Sequence, residues 1–69
     1  MDNFDALSDE IKHSVDELIA TAKFSRDSEK DYHRMSHYMG ASRIVLRSAG
    51  MSTLESTDKV NELMGIKLS

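Results

Sequence analysis

The 69-residue sequence contains no cysteine, no proline and no tryptophan, and it has only three glycines. Without cysteine the chain can form neither disulfides nor thiolate zinc sites, and thiol catalysis is excluded. No apolar run approaches the ~20 residues that span a bilayer, and no basic segment precedes an apolar one at the N-terminus. We therefore expect a cytoplasmic protein without a membrane partner, folded as one domain over residues 1–69.

Signatures of catalysis and of cofactor binding are missing as well. The sequence has no phosphate-binding glycine loop, no nucleophile elbow and no HExxH pair. A helical chain of this length also offers little room for a substrate pocket. We therefore expect a protein that is not an enzyme and that carries neither a cofactor nor a metal.

The first part of the chain predicts one long amphipathic helix. Residues 1–39 lack both glycine and proline, which favours an all-helical fold. Apolar residues recur there at spacings of three and four, in a stripe about 120° wide. They are Phe4, Leu7, Ile11, Val15, Leu18, Ile19 and Ala22. The pattern predicts a helix from about 3 to 23, capped by Asp2 or Asn3. Ser8 is an alternative cap, but the stripe extends back to Phe4.

A second apolar stripe follows the polar segment 25–31. On a continuous helix its centre would lie about 160° around from that of the first stripe, so a break is the simpler interpretation. Its members are Tyr32, Met35, Tyr38, Met39, Val45, Leu46 and Ala49. The sequence therefore predicts a second helix over about 28–49, with Ser25, Asp27 or Ser28 as its N-cap.

Two glycines and a serine mark the remaining helix ends. Gly50 fits the C-terminal stop of the second helix, and Ser52 with Glu55 matches a capping box. A third helix is predicted over about 53–64, ended by Gly65 and followed by a short tail, 66–69. Its inward residues are Val60, Leu63 and Met64. The fold class is thus all-α: an antiparallel helical hairpin plus a shorter third helix, closed as a three-helix bundle or paired in a hairpin-based oligomer.

The short chain also favours self-association. Domains of this size bury only ~60% of their unfolded surface and are marginally stable alone. Because no disulfide or metal supplements the core, a second copy is the simplest source of further buried area. We therefore expect a homo-oligomer, with a dimer favoured.

The net charge of −3 conceals a division along the chain. Residues 1–22 contain six acids and one base, whereas no acid occurs between Tyr32 and Leu54. In one interpretation the acidic first helix and the basic second helix complement each other, within the hairpin or between protomers. In the other, the basic face of the second helix docks on a partner.

The candidate docking residues are Arg43, Arg47, Ile44, Gly40, His37 and His33. A glycine inside a helix costs about 1 kcal/mol relative to alanine. Gly40 is therefore expected to admit a closely packed helix or a partner's side chain. His33 and His37 have the spacing of two metal ligands, and Glu29 precedes them on the same side. No second acid or third histidine accompanies them, and we interpret them as exposed histidines.

These features predict a small helical protein–protein interaction module that regulates or inhibits a larger macromolecule. The alternative is a nucleic-acid-binding accessory protein that uses the same basic face of the second helix. The overall acidity of the chain argues against this alternative, because dedicated nucleic-acid binders carry a stronger basic excess.

Overall fold

The computed structural model describes residues 3–66, and within this range the chain is a bundle of three helices without strands. The helices are α1 (Asp9–Asp27), α2 (Tyr32–Ser48) and α3 (Thr53–Leu63). α1 and α2 pack closely across the connection 28–31, and α3 packs against α2. The all-α class and the order of two long helices and a shorter third are confirmed. Asp2 and residues 67–69 of the expected tail lie outside the described residues.

All three helices contribute to the hydrophobic core. Its buried apolar residues are Val15, Ile19, Ala22, Met39, Leu46, Met51, Val60 and Met64. Phe4, Leu7, Met35, Tyr38, Val45 and Leu63 pack partly buried around them. Most residues of the expected stripes therefore face inward. Tyr32 is an exception at 57% exposed, because the core contacts of α2 begin one turn later, at Met35.

Three serines are fully buried, one from each helix: Ser25, Ser42 and Ser56. The Ser42 hydroxyl donates to the Tyr38 carbonyl at 2.9 Å, and the Ser56 hydroxyl donates to the Ser52 carbonyl at 2.7 Å. The Ser25 hydroxyl has no hydrogen-bond partner within residues 3–66. Periodicity of apolar residues did not identify these positions, because their small side chains are buried by neighbouring helices despite being polar.

The first helix runs from Asp9 to Asp27, so both its expected start near residue 3 and its expected end near residue 23 are wrong. Ser8 is the N-cap, and its hydroxyl accepts the Ile11 N–H at 3.3 Å. Phe4 and Leu7 reach the core from a turn in which the Leu7 N–H donates to the Phe4 carbonyl at 3.1 Å. The apolar stripe extends beyond the helix because core contacts continue where helical geometry does not.

The segment before the first helix lies against α3. The Lys59 ammonium is 5.0 Å from the centre of the Phe4 ring, a cation–π contact. The Asn3 side-chain amide donates to the Glu55 carboxylate. The two contacts join the start of the described chain to the third helix.

The connection between α1 and α2 turns without glycine. The N-cap of α2 is Asp31, whose side chain accepts the Arg34 N–H at 3.0 Å. The expected caps Ser25, Asp27 and Ser28 are therefore wrong, and so is the expected start of this helix near residue 28. Lys30 takes the left-handed conformation, with φ of 55°. The Asp31 N–H then donates to the Ser25 carbonyl at 2.9 Å. This closing bond holds Lys30 in a conformation that costs an L-residue about 1–2 kcal/mol.

The expected glycine stop after α2 is confirmed. Gly50 has φ of 108°, its N–H donates to the Arg47 carbonyl, and the Met51 N–H donates to the Leu46 carbonyl. These are the two bonds of a Schellman ending. Gly65, with φ of 75°, ends α3 through the same pattern of bonds.

The expected capping box of α3 is also confirmed. The Glu55 N–H donates to the Ser52 hydroxyl at 3.1 Å, and the Ser52 N–H donates to the Glu55 carboxylate at 3.0 Å. Both ends of this short helix are therefore fixed by local hydrogen bonds, which explains why its boundaries were predictable to within a residue.

One side chain joins the ends of the first and last helices. The Arg26 guanidinium donates to the Met64 carbonyl at 2.8 Å and to the Asp27 carboxylate at 2.7 Å. Met64 is the C-cap of α3, and backbone acceptors at the C-terminal end of a helix lack helical partners. The hydrogen bond between the two side chains raises the pKa of Arg26 and lowers the pKa of Asp27. We call these contacts the Arg26 clasp.

We expect Lys30→Gly to stabilise the fold by about 1 kcal/mol, because glycine adopts the left-handed conformation without strain. Glu29→Gly is the matched control: the neighbouring residue has no positive φ, so glycine there should destabilise through the unfolded state. Denaturant unfolding of the three proteins measures both effects. A shift of both variants in the same direction would contradict the role assigned to Lys30.

The lowered pKa of Asp27 predicts a dependence of stability on acid. A carboxyl group whose pKa is depressed on folding stabilises the native state above its unfolded pKa, and that contribution is lost as the pH falls through the folded pKa. We expect the difference in thermal midpoint between wild type and Asp27→Asn to shrink as the pH falls below the ordinary range of carboxyl pKa values. Asp16→Asn, which changes an exposed acid of the same helix, is the control. A difference in thermal midpoint between wild type and Asp27→Asn that stays constant with pH would contradict this prediction.

Candidate docking surface

The side of α2 that faces away from the core carries the candidate residues. Met39, Ser42 and Leu46 are the buried residues of this helix. At 100° per residue the opposite side presents positions spaced alternately by four and three. These positions are His33, His37, Gly40, Ile44 and Arg47, which we call the outer stripe of α2. Arg43 flanks this stripe, so the fold places all six candidates on one continuous surface.

Ile44 is the exposed apolar residue of this surface. Its side chain is 58% exposed, whereas Leu46, two residues later, is fully buried. His33, His37 and Arg47 are exposed around it, and Arg43 is half-buried. A single exposed isoleucine is ordinary on a protein surface. Here it lies among positive and titratable side chains, so the surface combines an apolar centre with a polar edge.

Gly40 is half-buried, and within residues 3–66 no second helix reaches the position that its side chain would occupy. A Cβ built at this position would meet the Arg43 guanidinium at 3.6 Å and no other atom within 4 Å. Its φ is not positive, so the backbone does not require glycine either. The expectation of close helix packing at Gly40 is therefore wrong within residues 3–66. The Arg43 side chain instead extends over the position that a Cβ would occupy.

The acidic and basic helices do not neutralise each other across the hairpin. Within residues 3–66, neither Arg43 nor Arg47 takes part in an ion pair. One ion pair within a single helix joins the Lys59 ammonium to the Glu62 carboxylate at 2.8 Å. The His13 imidazole lies 3.0 Å from the Glu17 carboxylate of the same helix. Charge complementarity within the hairpin is thus wrong for these two arginines. The basic side of α2 is left without an acidic counterpart in the described chain.

The remaining arginine of α2 is engaged elsewhere. The Arg34 guanidinium lies 5.8 Å from the centre of the Tyr38 ring. The Arg34 backbone N–H donates to the cap Asp31. Tyr38 is half-buried against the core, so Arg34 lies towards a different side of the helix from Ile44. Arg43 and Arg47 are therefore the two arginines that a partner at the outer stripe of α2 would meet.

α1 has an exposed stripe of its own, which the apolar periodicity did not identify. Its positions also alternate by three and four, and all five are exposed: Glu10, His13, Glu17, Ala20 and Phe24. We call them the outer stripe of α1. Phe24 is 58% exposed and lies on the side opposite Val15 and Ala22. The regular spacing of the positions outside the core stripe is the signal that could have revealed it.

Pockets and metal-ligating groups offer no comparable site. A hollow of about 180 Å³ is lined by Asn3, Met51, Glu55, Asp58, Lys59 and Glu62, which is small for an organic ligand. A second hollow, of about 380 Å³, is a shallow depression lined by Asp58, Asn61, Glu62 and Ile66. Among the described residues, no three histidine or acidic side chains come together to hold a metal ion. Over the same range, no helix has both the length and the apolar character needed to cross a membrane.

We expect Gly40→Ala to stabilise the protein by about 1 kcal/mol, because the helix gains propensity and the added methyl group meets one flexible side chain at ordinary contact distance. Gly50→Ala is the control, since φ of 108° at that position strains any L-residue. Denaturant midpoints should move in opposite directions. Loss of stability in Gly40→Ala would show that something packs against this position.

No family model, curated protein or solved structure matches this chain. Its function is therefore argued from the outer stripe of α2 and the charges around it.

Proposed function

We propose that this protein is a non-enzymatic interaction module that acts in the cytoplasm. It regulates or inhibits a larger protein by docking the outer stripe of α2, together with Arg43, on an acidic surface of that protein. The observation that carries the proposal is the exposed basic side of α2, which has no acidic counterpart within residues 3–66.

The composition of the surface supports a protein partner. Arginine is enriched at protein interfaces and among the few residues that supply most of the binding energy. Ile44 gives an apolar anchor, while Arg43 and Arg47 give donors with the geometry to bind carboxylates. An acidic partner would then satisfy charges that the hairpin itself leaves unpaired.

The presence of glycine at position 40 also supports a docking role for this surface. Glycine in a helix interior lowers stability by about 1 kcal/mol relative to alanine, and no neighbour in the described chain requires it. Sites that bind partners often keep residues that are not optimal for the fold. A partner that draws the flexible Arg43 side chain aside can then approach the backbone of α2 between His37 and Ile44.

The exposed charges favour a protein over a nucleic acid. Two unpaired arginines would make few phosphate contacts, and each contact adds to affinity and to its dependence on salt. The acids of α1 and α3 would repel a phosphate backbone close by. A nucleic acid is therefore the disfavoured partner of this surface.

The test is affinity capture from cells of the source organism, followed by mass spectrometry. Wild type should retain a protein whose capture is lost in the double variant Arg43→Glu with Arg47→Glu. Reversing two charges at a contact with carboxylates should weaken binding by at least about tenfold. Circular dichroism of the purified variants confirms that the helices remain.

The matched control is Lys23→Glu with Lys30→Glu, which changes the net charge by the same amount away from the outer stripe of α2. Equal capture by wild type and the Arg43 and Arg47 variant would disprove the docking role of this surface. A gel shift with duplex nucleic acid at low and at high salt adds a second readout. Binding that weakens steeply with salt would support the nucleic-acid alternative instead.

A further inference from the structure

We infer that the chain also binds a second copy of itself, with the outer stripe of α1 of one copy seated on the outer stripe of α2 of the next. The inference rests on the outer stripe of α2 being a docking surface, as proposed above. It goes further by naming one occupant, whose chemistry the chain itself supplies.

The two outer stripes carry complementary charges. The outer stripe of α1 carries Glu10 and Glu17, and the exposed Asp16 lies beside it. α2 carries no acid from Tyr32 to its end, and Arg43 and Arg47 lack ion-pair partners within residues 3–66. Because the acidic and basic sides do not meet within one hairpin, they are available to meet between two.

The two stripes also match in the spacing of their positions. Each has five positions that alternate by three and four residues, the pattern with which two helices pack side by side along a seam. The middle positions are Glu17 on α1 and Gly40 on α2. When the two stripes are aligned over their full length, Glu17 lies opposite Gly40 whichever way the second helix runs.

This alignment places the Glu17 carboxylate of one copy close to the Arg43 guanidinium of the next. The Arg43 guanidinium extends over Gly40, where a Cβ would meet it at 3.6 Å. A carboxylate placed opposite Gly40 would therefore lie beside that guanidinium and could accept two of its N–H groups. Glu17 is exposed and is engaged with His13 through one carboxylate oxygen, so its other oxygen can accept from Arg43.

Apolar groups add area at the same contact. Phe24 and Ile44, each 58% exposed, belong one to each stripe. Ala20 gives the α1 stripe a small residue next to its centre, which allows the two helices to approach closely. By contrast, pairing α2 with a second α2 would bring four arginines together without a carboxylate, and like charges disfavour that arrangement.

The contact joins two different surfaces, so symmetry does not limit it to a pair. Such heterologous contacts build rings when the rotation closes and open chains when it does not. Sedimentation velocity of the wild-type protein at low salt should therefore show a mass that rises with concentration. High salt should lower this mass, because the contact includes exposed charge pairs.

The decisive variants reverse one charge on each surface. Glu17→Arg and Arg43→Glu should each raise the dissociation constant for self-association by about tenfold or more. An equimolar mixture of the two variants should associate again, because each surface of one variant is then complementary to a surface of the other. The double variant Glu17→Arg with Arg43→Glu should also associate, through the exchanged charges.

The controls carry the same changes away from both stripes. Glu29→Arg reverses an acid in the connection 28–31, and Lys23→Glu reverses an exposed base of α1. Both should associate like wild type, and circular dichroism should show equal helicity in all variants. A wild type that stays monomeric at every concentration would overturn the inference, as would failure of the mixture and of the double variant to associate.

The same variants separate this inference from the proposed function. Glu17→Arg alters α1 alone, so it should lose self-association and keep the captured protein partner. A monomeric wild type whose partner is lost in the Arg43 and Arg47 variant would refute the inference and leave the proposed function standing. Self-association that is lost and rescued as above, without any captured partner, would refute the proposed function and support the inference.

Discussion

The small shared core is the constraint on which the rest of the structure depends. α2 packs against both α1 and α3, and the fully buried Val15, Leu46 and Val60 show that each helix contributes to one centre. A helix of this length has one face to give to such a centre, so its other face stays in water. The division of charge lies largely on these outer faces, where composition can change with little effect on the fold. Stability and recognition are thus carried by opposite sides of the same helices.

Periodicity predicted most of the core, and local chemistry predicted most of the helix ends. The capping box at Ser52 and the glycine stop at Gly50 use hydrogen bonds between residues close in sequence, so they could be found without the fold. The start of α1 could not, because Phe4 contacts the core from a turn and Lys59 lies over its ring. Lys30 was missed for a related reason: intrinsic preference disfavours its conformation, and a closing hydrogen bond to Ser25 maintains it.

The candidate docking surface, too, could be predicted only in part from the sequence. That His33, His37 and Ile44 share one side of α2 follows from helical geometry alone. The absence of a second helix at Gly40, within the described residues, does not follow from it, since it depends on where α3 packs against α2. Phe24 was overlooked because it falls outside the core stripe, and a sequence does not show whether such a residue is covered by a distant element. The structure supplied both facts. No second helix of the described chain packs at Gly40, and the approach of a partner's side chain to this position stays a prediction.

The Arg26 clasp has a consequence for the order of folding. α1 packs on α2 and α2 packs on α3, so these contacts join helices that are neighbours in sequence and form quickly. The bond from Arg26 to the Met64 carbonyl spans 38 residues and joins two helices that are not neighbours in sequence, so it closes a large loop. It should therefore form late and break early, leaving the α1–α2 hairpin intact while the end of α3 opens. Amides in the last turn of α3 would then exchange with solvent through a local opening, independently of global unfolding.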